Sequence, residues 1–317
     1  MHSIFLVVGG LGLFLFGMKM MSEGLEKIAG NKLQAFLRLK TSNSLTGFFI
    51  GIIITIIVQS SSVTTIMVVS FVNAGLINLT QSIGIIIGAN VGTTIGAQIL
   101  AFRIESIAPL FVFLGSVTYL FSKQEKLKNI GFIILGISIL FFGMMVMGMP
   151  MNELSDNIYF QNLIVDFKNP FFAFFIGLLL TAIIQSSSAI MGILISMYLQ
   201  GIIFPFEIAA LIILGSNIGT CVDTLIASIP TNRESKRVAL AHLIYNVITC
   251  LFAMIIILLF PSSLSWIQSI WNDEARQIVM FHTLFNIIAA LIFLPFIKPF
   301  SKLMMKLLPE YKKTKLK

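Results

Sequence analysis

Apolar stretches separated by short polar gaps occupy most of this chain, and this pattern limits its fold more than any other feature. Seven stretches approach the roughly 20 residues that a helix needs to cross a bilayer: 4–21, 81–101, 106–121, 129–148, 206–229, 238–260 and 278–297. Charged residues make up only 11% of the chain, against about 25% in a typical soluble domain. The sequence therefore excludes a water-soluble globule and predicts an all-α polytopic membrane protein with about seven spans in the lipid bilayer.

Two further apolar segments, 45–74 and 171–201, are too long for a single span. About 30 helical residues would reach about 45 Å, whereas the bilayer core is roughly 30 Å thick. The same polar word, QSSS, interrupts each segment midway, at Gln59–Ser62 and at Gln185–Ser188. Backbone broken at membrane depth is tolerated only where protein or water covers it. We therefore predict two re-entrant helical hairpins whose tips lie in the middle of the molecule.

The two QSSS words belong to a longer internal repeat. Three words recur in the same order about 126 residues later: Gly10–Met18 as Gly136–Met144, Thr55–Ser62 as Thr181–Ser188, and Gly88–Thr94 as Gly215–Cys221. Three predicted crossings separate the starts of the two copies, so the copies should face opposite ways across the membrane. This inverted-topology repeat is how many secondary transporters build a midplane site that is exposed alternately to each side.

The repeat predicts the following organisation. A first repeat, 1–121, holds a span, an interfacial helix over 22–40, the hairpin 45–74, the broken span 81–101 and the span 106–121. A second repeat, 129–260, holds a span, the hairpin 171–201, the broken span 206–229 and the span 238–260. An extra span at 278–297 and a basic tail at 298–317 follow.

The basic residues predict one orientation. With the N-terminus outside and both hairpins returning to their own side, Arg103, Lys168 and Arg276 are the only three of 21 basic residues outside. Because Lys and Arg concentrate in cytoplasmic loops, we predict a cell-membrane protein with a cytoplasmic C-terminus. The formal net charge of +8 then reflects this orientation, and no nucleic-acid partner is expected.

Each QSSS tip joins the carbonyl end of one half-helix to the N–H end of another. Carbonyls and the amide oxygens of Gln59 and Gln185 suit a hard cation such as Na⁺, whereas helix N-termini and hydroxyls suit an oxyanion. The predicted substrate-binding serines are Ser60, Ser61, Ser62, Ser186, Ser187 and Ser188. The alternative is that the serines only cap the broken helices.

The words GANVGTT and GSNIGTC interrupt two spans with glycines and polar side chains. We expect Asn90 and Asn217 to bind substrate, and Thr93 and Thr220 to bind sodium. The alternative is that these small residues serve only close helix packing, which is common in membranes.

Asp223 is the only acid that we place well inside a span, where an isolated carboxylate costs roughly 3 kcal/mol. It follows Thr220 by three residues on the same helical face, and we predict that it binds sodium or carries a proton. The equivalent first-repeat residue is Gly96, so the ion chemistry of the halves should differ. A snorkelling or structurally paired Asp223 is the alternative.

His242 with Asn246, and His282 with Asn286, repeat a pattern that could suggest a metal or catalytic site. The predicted topology places the two histidines at opposite ends of their spans, so we expect interhelical hydrogen bonds instead. Cys221 and Cys250 lie in apolar segments and support neither a disulfide nor a zinc site. No metal other than Na⁺ and no cofactor is expected.

The paired QSSS words, each followed by a Gly-x-Asn-x-Gly-Thr word, resemble the type II sodium/phosphate cotransporter family over nearly the whole chain up to about residue 300. The resemblance implies a symporter of Na⁺ and inorganic phosphate, with no catalytic residues, and points to a homodimer. No Lys or Arg occupies a predicted mid-membrane position, so co-bound Na⁺ would supply the positive charge that phosphate needs. Alternatives are a carrier or exporter of another small anion, an intramembrane serine hydrolase and an ion channel.

Overall fold

The computed structural model describes residues 2–30, 43–102, 107–151, 153, 169–202 and 205–310, and the regular structure in these ranges is entirely helical. The α-helices, numbered in chain order, are α1 (His2–Ala29), α2 (Ser44–Val58), α3 (Ser61–Asn73), α4 (Leu79–Leu100), α5 (Ala108–Phe121), α6 (Glu125–Gly148), α7 (Pro170–Ile184), α8 (Ser187–Leu199), α9 (Phe206–Gly219), α10 (Cys221–Ser228), α11 (Arg233–Leu259), α12 (Ser265–Ile270), α13 (Glu274–Phe293) and α14 (Ile297–Leu307). Short 3₁₀ turns at Pro261–Leu264 and Leu294–Phe296 precede α12 and α14. The predicted all-α membrane protein is confirmed.

Six segments of the described chain are long and apolar enough to cross a membrane: α1, α4, α6, α9 with α10, α11, and α13 with α14. They correspond to six of the seven predicted spans. The seventh, 106–121, contains α5, whose 14 residues reach only about 21 Å, less than the bilayer core. Pro109 stands in the first turn of α5, a position where its missing N–H costs no helical bond.

The predicted interfacial helix over 22–40 is wrong in its first part. α1 continues without a break through Ala29, and Gly24 packs closely on Ile133 of α6. Residues 31–42 lie outside the described residues.

α1 and α6 pack against each other through four glycines. A Cβ on Gly10 would lie 2.7 Å from the carbonyl oxygen of Gly143, and one on Gly17 would lie 2.6 Å from that of Gly136. The contacts run in opposite directions along the two helices, so α1 and α6 are antiparallel. Gly10 matches Gly136 in the repeat and Gly17 matches Gly143. Replacing each residue by its match in the repeat therefore turns the contact of Gly10 with Gly143 into the contact of Gly136 with Gly17. The packing of α1 on α6 is thus symmetric between the two repeats.

The helix before each QSSS word packs in parallel on the long helix that follows. In the first half, the carbonyl of Ser44 touches Gly84 and that of Phe48 touches Gly88. Since α3 ends at Asn73, close to the start of α4, the chain must reverse its direction between α2 and α3. In the second half, α7 packs on α9 in the same parallel way.

The two Gly-x-Asn-x-Gly-Thr words behave differently. α4 runs unbroken through Gly88 and Thr93, so the predicted interruption of this span is wrong. Gly88 packs closely on α2, as Gly215 does on α7. The second word ends in a break at Thr220, between α9 and α10.

Two buried apolar clusters flank the tips. The larger joins α1, α6, α8, α9 and α13, and the smaller joins α3, α4, α11 and α14. α14 begins the predicted basic tail as a docked amphipathic helix: Phe300 and Met304 are buried, whereas its lysines are exposed. The Nε of Arg237 donates a hydrogen bond of 2.8 Å to the carbonyl of Leu308 and so holds the C-terminal end of α14.

Candidate functional site

Both QSSS words make the same break in the backbone. Gln59 and Gln185 adopt left-handed conformations, with φ of 54° and 61°, and they are the only non-glycine residues with positive φ among those described. Such backbone is uncommon for residues other than glycine and occurs often at functional sites. The hydroxyls of Ser60 and Ser186 each accept a hydrogen bond of 3.2 Å from the backbone N–H three residues on. The first serine of each word is therefore a helix N-cap.

Both tips line one cavity of about 470 Å³. We define the first tip as residues 58–63 and the second tip as residues 184–188. Ten of the predicted site residues line this cavity: Gln59, Ser60, Ser61, Ser62, Thr93, Gln185, Ser186, Ser187, Ser188 and Thr220. The sequence words that lie about 126 residues apart are thus brought together around a common space.

α1 supplies one wall of the cavity, which sequence reasoning missed. Lys19, Ser22, Glu23 and Glu26 line it, and Lys19 forms an ion pair of 3.9 Å with Glu23. The sequence places no Lys or Arg at mid-membrane depth, but Lys19, near the end of the first predicted span, lines the cavity. The spacing of these polar residues by three and four is a signal for a single helical face, but it crosses residue 21, where the first predicted span ends.

Ser22 connects this wall to the first tip. Its hydroxyl donates a hydrogen bond of 2.6 Å to the carbonyl oxygen of Val58, the last residue of α2. One of the carbonyls that a helix end leaves free is thereby satisfied.

The threonines beside the tips are buried and hydrogen-bonded to their own helices. Thr93 donates to the carbonyl of Ala89 at 3.0 Å, and Thr220 donates to that of Asn217 at 2.8 Å. Because each hydroxyl proton is engaged, the hydroxyl oxygen presents its two lone pairs, which suit a cation.

Asp223 lies in α10 beside the first tip, where Ser62 forms a hydrogen bond with its carboxylate. The residue is only 8% exposed, and its Oδ1 is buried without a hydrogen-bond partner in the described part of the protein. Asp223 is not among the residues that line the cavity. A buried, unpaired carboxylate oxygen is costly and is suited to a cation.

Asn90 and Asn217 lie away from the cavity-lining set and are bound to other helices. Asn90 Nδ2 donates to Asn246 Oδ1 at 2.9 Å, and His282 Nε2 lies 3.3 Å from Asn217 Oδ1. His242 Nδ1 lies 3.1 Å from the hydroxyl of Thr224. The interhelical hydrogen bonds predicted for the two histidines are thus present.

No cluster of three or more His, Cys, Asp or Glu side chains suited to a metal ion occurs within the described ranges. Both cysteines are buried and free.

A family model described as Na⁺/Pi-cotransporter matches residues 13–149 and 156–291. Each matched range contains one QSSS word and one Gly-x-Asn-x-Gly-Thr word. The match therefore covers all the polar words of the site.

Three relatives illustrate the similarity. The uncharacterised protein YqeW of Bacillus subtilis is 34% identical over 93% of this chain and 95% of its own length. The putative inorganic phosphate export protein YjbB of Escherichia coli is 24% identical over 95% of this chain, which spans 55% of that protein. The human sodium-dependent phosphate transport protein 2B is 36% identical over 31% of this chain and 14% of its own length. No solved structure shows a significant match.

Proposed function

This chain belongs to the Na⁺/Pi-cotransporter family, and from that premise we propose that it carries inorganic phosphate across the cell membrane together with Na⁺. The observation that most supports this proposal is the single cavity lined by both QSSS tips. The names of the Escherichia coli and human relatives, which refer to phosphate export and sodium-dependent phosphate transport, agree with it.

The anion would bind to hydroxyls and backbone N–H groups at the tips. The helices α3 and α8 both begin there, and helix N-termini favour oxyanions through free N–H groups and the helix dipole. The serines that follow the N-caps, Ser61, Ser62, Ser187 and Ser188, line the same space. Phosphate thus needs no basic ligand in direct contact, since the coupling cation contributes positive charge.

The predicted sodium ligands are Gln59, Gln185, Thr93, Thr220 and Asp223. All supply oxygen atoms, which Na⁺ prefers as a hard cation. The carboxylate of Asp223 supplies the negative charge that favours a cation over water. Coupling follows if phosphate and Na⁺ each bind better when the other is present.

The proposal includes two re-entrant hairpins, α2 with α3 and α7 with α8, related by an inverted repeat. The parallel packing of each first hairpin helix on the following span supports the reversal at each tip. The antiparallel contact of α1 with α6, which is symmetric between the two repeats, supports an inverted relation between the halves. Alternating access would then expose the cavity to each side in turn. The N-terminus would lie outside, and the homodimer implied by the resemblance stays a prediction.

Uptake of labelled phosphate into proteoliposomes tests the function. We expect uptake that saturates and that rises when Na⁺ is present outside. Ser188→Ala should reduce it, whereas the matched control Ser269→Ala, on exposed α12, should not. Uptake that is equal with Na⁺ and with K⁺ would remove sodium coupling from the proposal.

Export and transport of another anion use the same site. The name of the Escherichia coli relative favours export as a second candidate, and the gradients set the direction of a secondary transporter. Phosphate efflux from loaded vesicles, with sulfate as competitor, separates these candidates. Among the described residues that line the cavity, none is a histidine, so the serine hydrolase alternative gains no support from this site.

A further inference from the structure

The helix α14 continues α13 along the side of α4. Gln98 Nε2 donates to the hydroxyl of Thr283 at 2.7 Å, and the hydroxyl of Thr80 donates to that of Ser301 at 3.1 Å. The same number of residues separates these two bonds along each segment, so α13 and α14 together run antiparallel to α4. The distance between the bonds is about 27 Å at 1.5 Å per residue, close to the roughly 30 Å of a bilayer core. Where α4 crosses the membrane, Ser301 therefore lies near one boundary.

The exposed side of this segment changes from apolar to basic at that boundary. Ile288 and Leu291 of α13 are 49% and 63% exposed. On α14 the exposed lysines Lys298, Lys302 and Lys306 follow at intervals of four residues, so they share one face of the helix. Lys298 comes about two helical turns after Leu291, on about the same side. We call these three lysines the lysine stripe.

The protein leaves the charge of the lysine stripe unneutralised. Within the described ranges, none of its members forms an ion pair or a hydrogen bond. The start of α11, which lies beside α14, adds the exposed Lys236. The acid in the first turn of α11, Glu234, is already paired with Arg237. This boundary therefore carries an excess of positive charge that suits a negatively charged partner.

We propose that the lysine stripe binds the phosphate groups of anionic phospholipids, whose acyl chains lie against the exposed apolar side of α13. Lysine can lay its aliphatic stem along apolar surface while its ammonium group reaches the headgroups. An anionic membrane surface attracts basic side chains at its edge. Lys298 lies one turn on the membrane side of Ser301, where a lipid reaches it more readily than a soluble acidic protein does.

Binding of such a lipid should stabilise the fold, because α14 is attached to both halves of the protein. Ser301 is bonded to Thr80 of α4, and the carbonyl of Leu308 accepts from Nε of Arg237 in α11. The carbonyl of Pro309 accepts a further bond of 2.8 Å from Nε of Arg233. A ligand that binds only the folded protein raises its melting temperature with ligand concentration. Lipid binding can therefore be measured through thermal unfolding.

The experiment titrates phosphatidylglycerol into the purified protein in a neutral detergent, with zwitterionic phosphatidylcholine as the lipid control. The melting temperature of the wild type should rise with phosphatidylglycerol only. The double variant Lys298→Gln with Lys302→Gln should bind it about thirtyfold more weakly, since each basic residue beside an anionic surface contributes a factor of about five. Lys298→Arg with Lys302→Arg, which keeps both charges, should retain the binding.

A matched double variant controls for the overall charge of the protein. Lys123→Gln with Lys126→Gln removes two exposed lysines beside the start of α6 and should weaken the binding by less than about threefold. An equal loss in this variant would overturn the proposal, as would equal stabilisation by the two lipids. If inorganic phosphate stabilises the wild type but not the Lys298→Gln, Lys302→Gln variant, the ligand is a free anion and the lipid is excluded. None of these measurements requires transport, so they are independent of the proposed function.

Discussion

The hydroxyls of Thr65 and Thr224 lie 2.7 Å apart and join the two halves of the protein directly beside the first tip. Thr65 belongs to α3, which follows the first QSSS word, and Thr224 follows Asp223 in α10. His242 extends the contact, since its Nδ1 lies 3.1 Å from the Thr224 hydroxyl. This buried chain therefore fixes the first tip against the second half.

Replacing Thr224 with the isosteric valine should destabilise the protein. His242 Nδ1 would lose its buried hydrogen-bond partner, which costs about 1–3 kcal/mol, whereas the Thr65 hydroxyl keeps its bond to the carbonyl of Ser62. Thr249→Val is the matched control, because that hydroxyl bonds to groups of its own helix, the carbonyls of Tyr245 and Asn246 and the thiol of Cys250. Thermal unfolding in detergent, followed by size-exclusion chromatography, measures the difference. Equal melting temperatures for the two variants would show that the contact adds no stability.

The close packing of α7 on α9 gives a second prediction about stability. A Cβ on Gly215 would overlap the carbonyl oxygen of Phe174, whereas one on Gly12 would meet nothing within 4 Å. Gly215→Ala should therefore lower the free energy of unfolding by about 1–3 kcal/mol through overpacking. Gly12→Ala should leave it unchanged or slightly raised, since alanine favours helix. A Gly215→Ala protein as stable as wild type would contradict this packing.

Much of this architecture could be predicted from local signals. Apolar length indicated six of the spans, and the repeated words indicated two equivalent tips, because both features lie in continuous sequence. The α1 wall was missed because Ser22 and Glu26 look like residues of an interfacial helix. Their polar partner, the carbonyl of Val58, is 36 residues from Ser22 and becomes visible only in the folded chain.

The same limit applies to the asparagines. Asn90 and Asn217 carry amide side chains of the kind that bind ligands, but their hydrogen-bond partners lie on α11 and α13. Asn246, the partner of Asn90, is 156 residues away in the sequence. A side chain that can bind a ligand can equally bind another helix. The sequence of one word alone does not distinguish these uses.

Asn90→Ala distinguishes them experimentally. Asn246 Oδ1 would lose its donor, so we expect a loss of stability of about 1–3 kcal/mol, detected as a lower melting temperature in detergent. The KM for phosphate is measured on the same preparation. A raised KM with unchanged stability would instead support the predicted substrate-binding role of Asn90.

The predicted orientation can be tested by labelling with an impermeant thiol reagent in intact cells. Lys126→Cys, in the predicted cytoplasmic loop 122–128, should react only after the membrane is permeabilised. Asn272→Cys, in the predicted external segment before α13, should react at once. The parent protein is the control, because Cys221 and Cys250 are both buried and should not react. Immediate labelling at position 126 would reverse the topology.

Asp223→Asn tests the carboxylate that the second half contributes. Asparagine keeps the size and one oxygen of the side chain but removes the charge, so Na⁺ activation of phosphate uptake should weaken about tenfold or more. The KM for phosphate at saturating Na⁺ should change much less, because the anion is bound by hydroxyls and N–H groups. Glu125→Gln, at the exposed start of α6, is the control for loss of a charge outside the site.

If Asp223 is instead a structural partner of Ser62, the Asp223→Asn variant should express poorly while its surviving fraction keeps the wild-type Na⁺ curve. Sodium titrations of the two proteins, normalised to folded protein, decide between these outcomes, and superimposable curves would exclude Asp223 from the cation site.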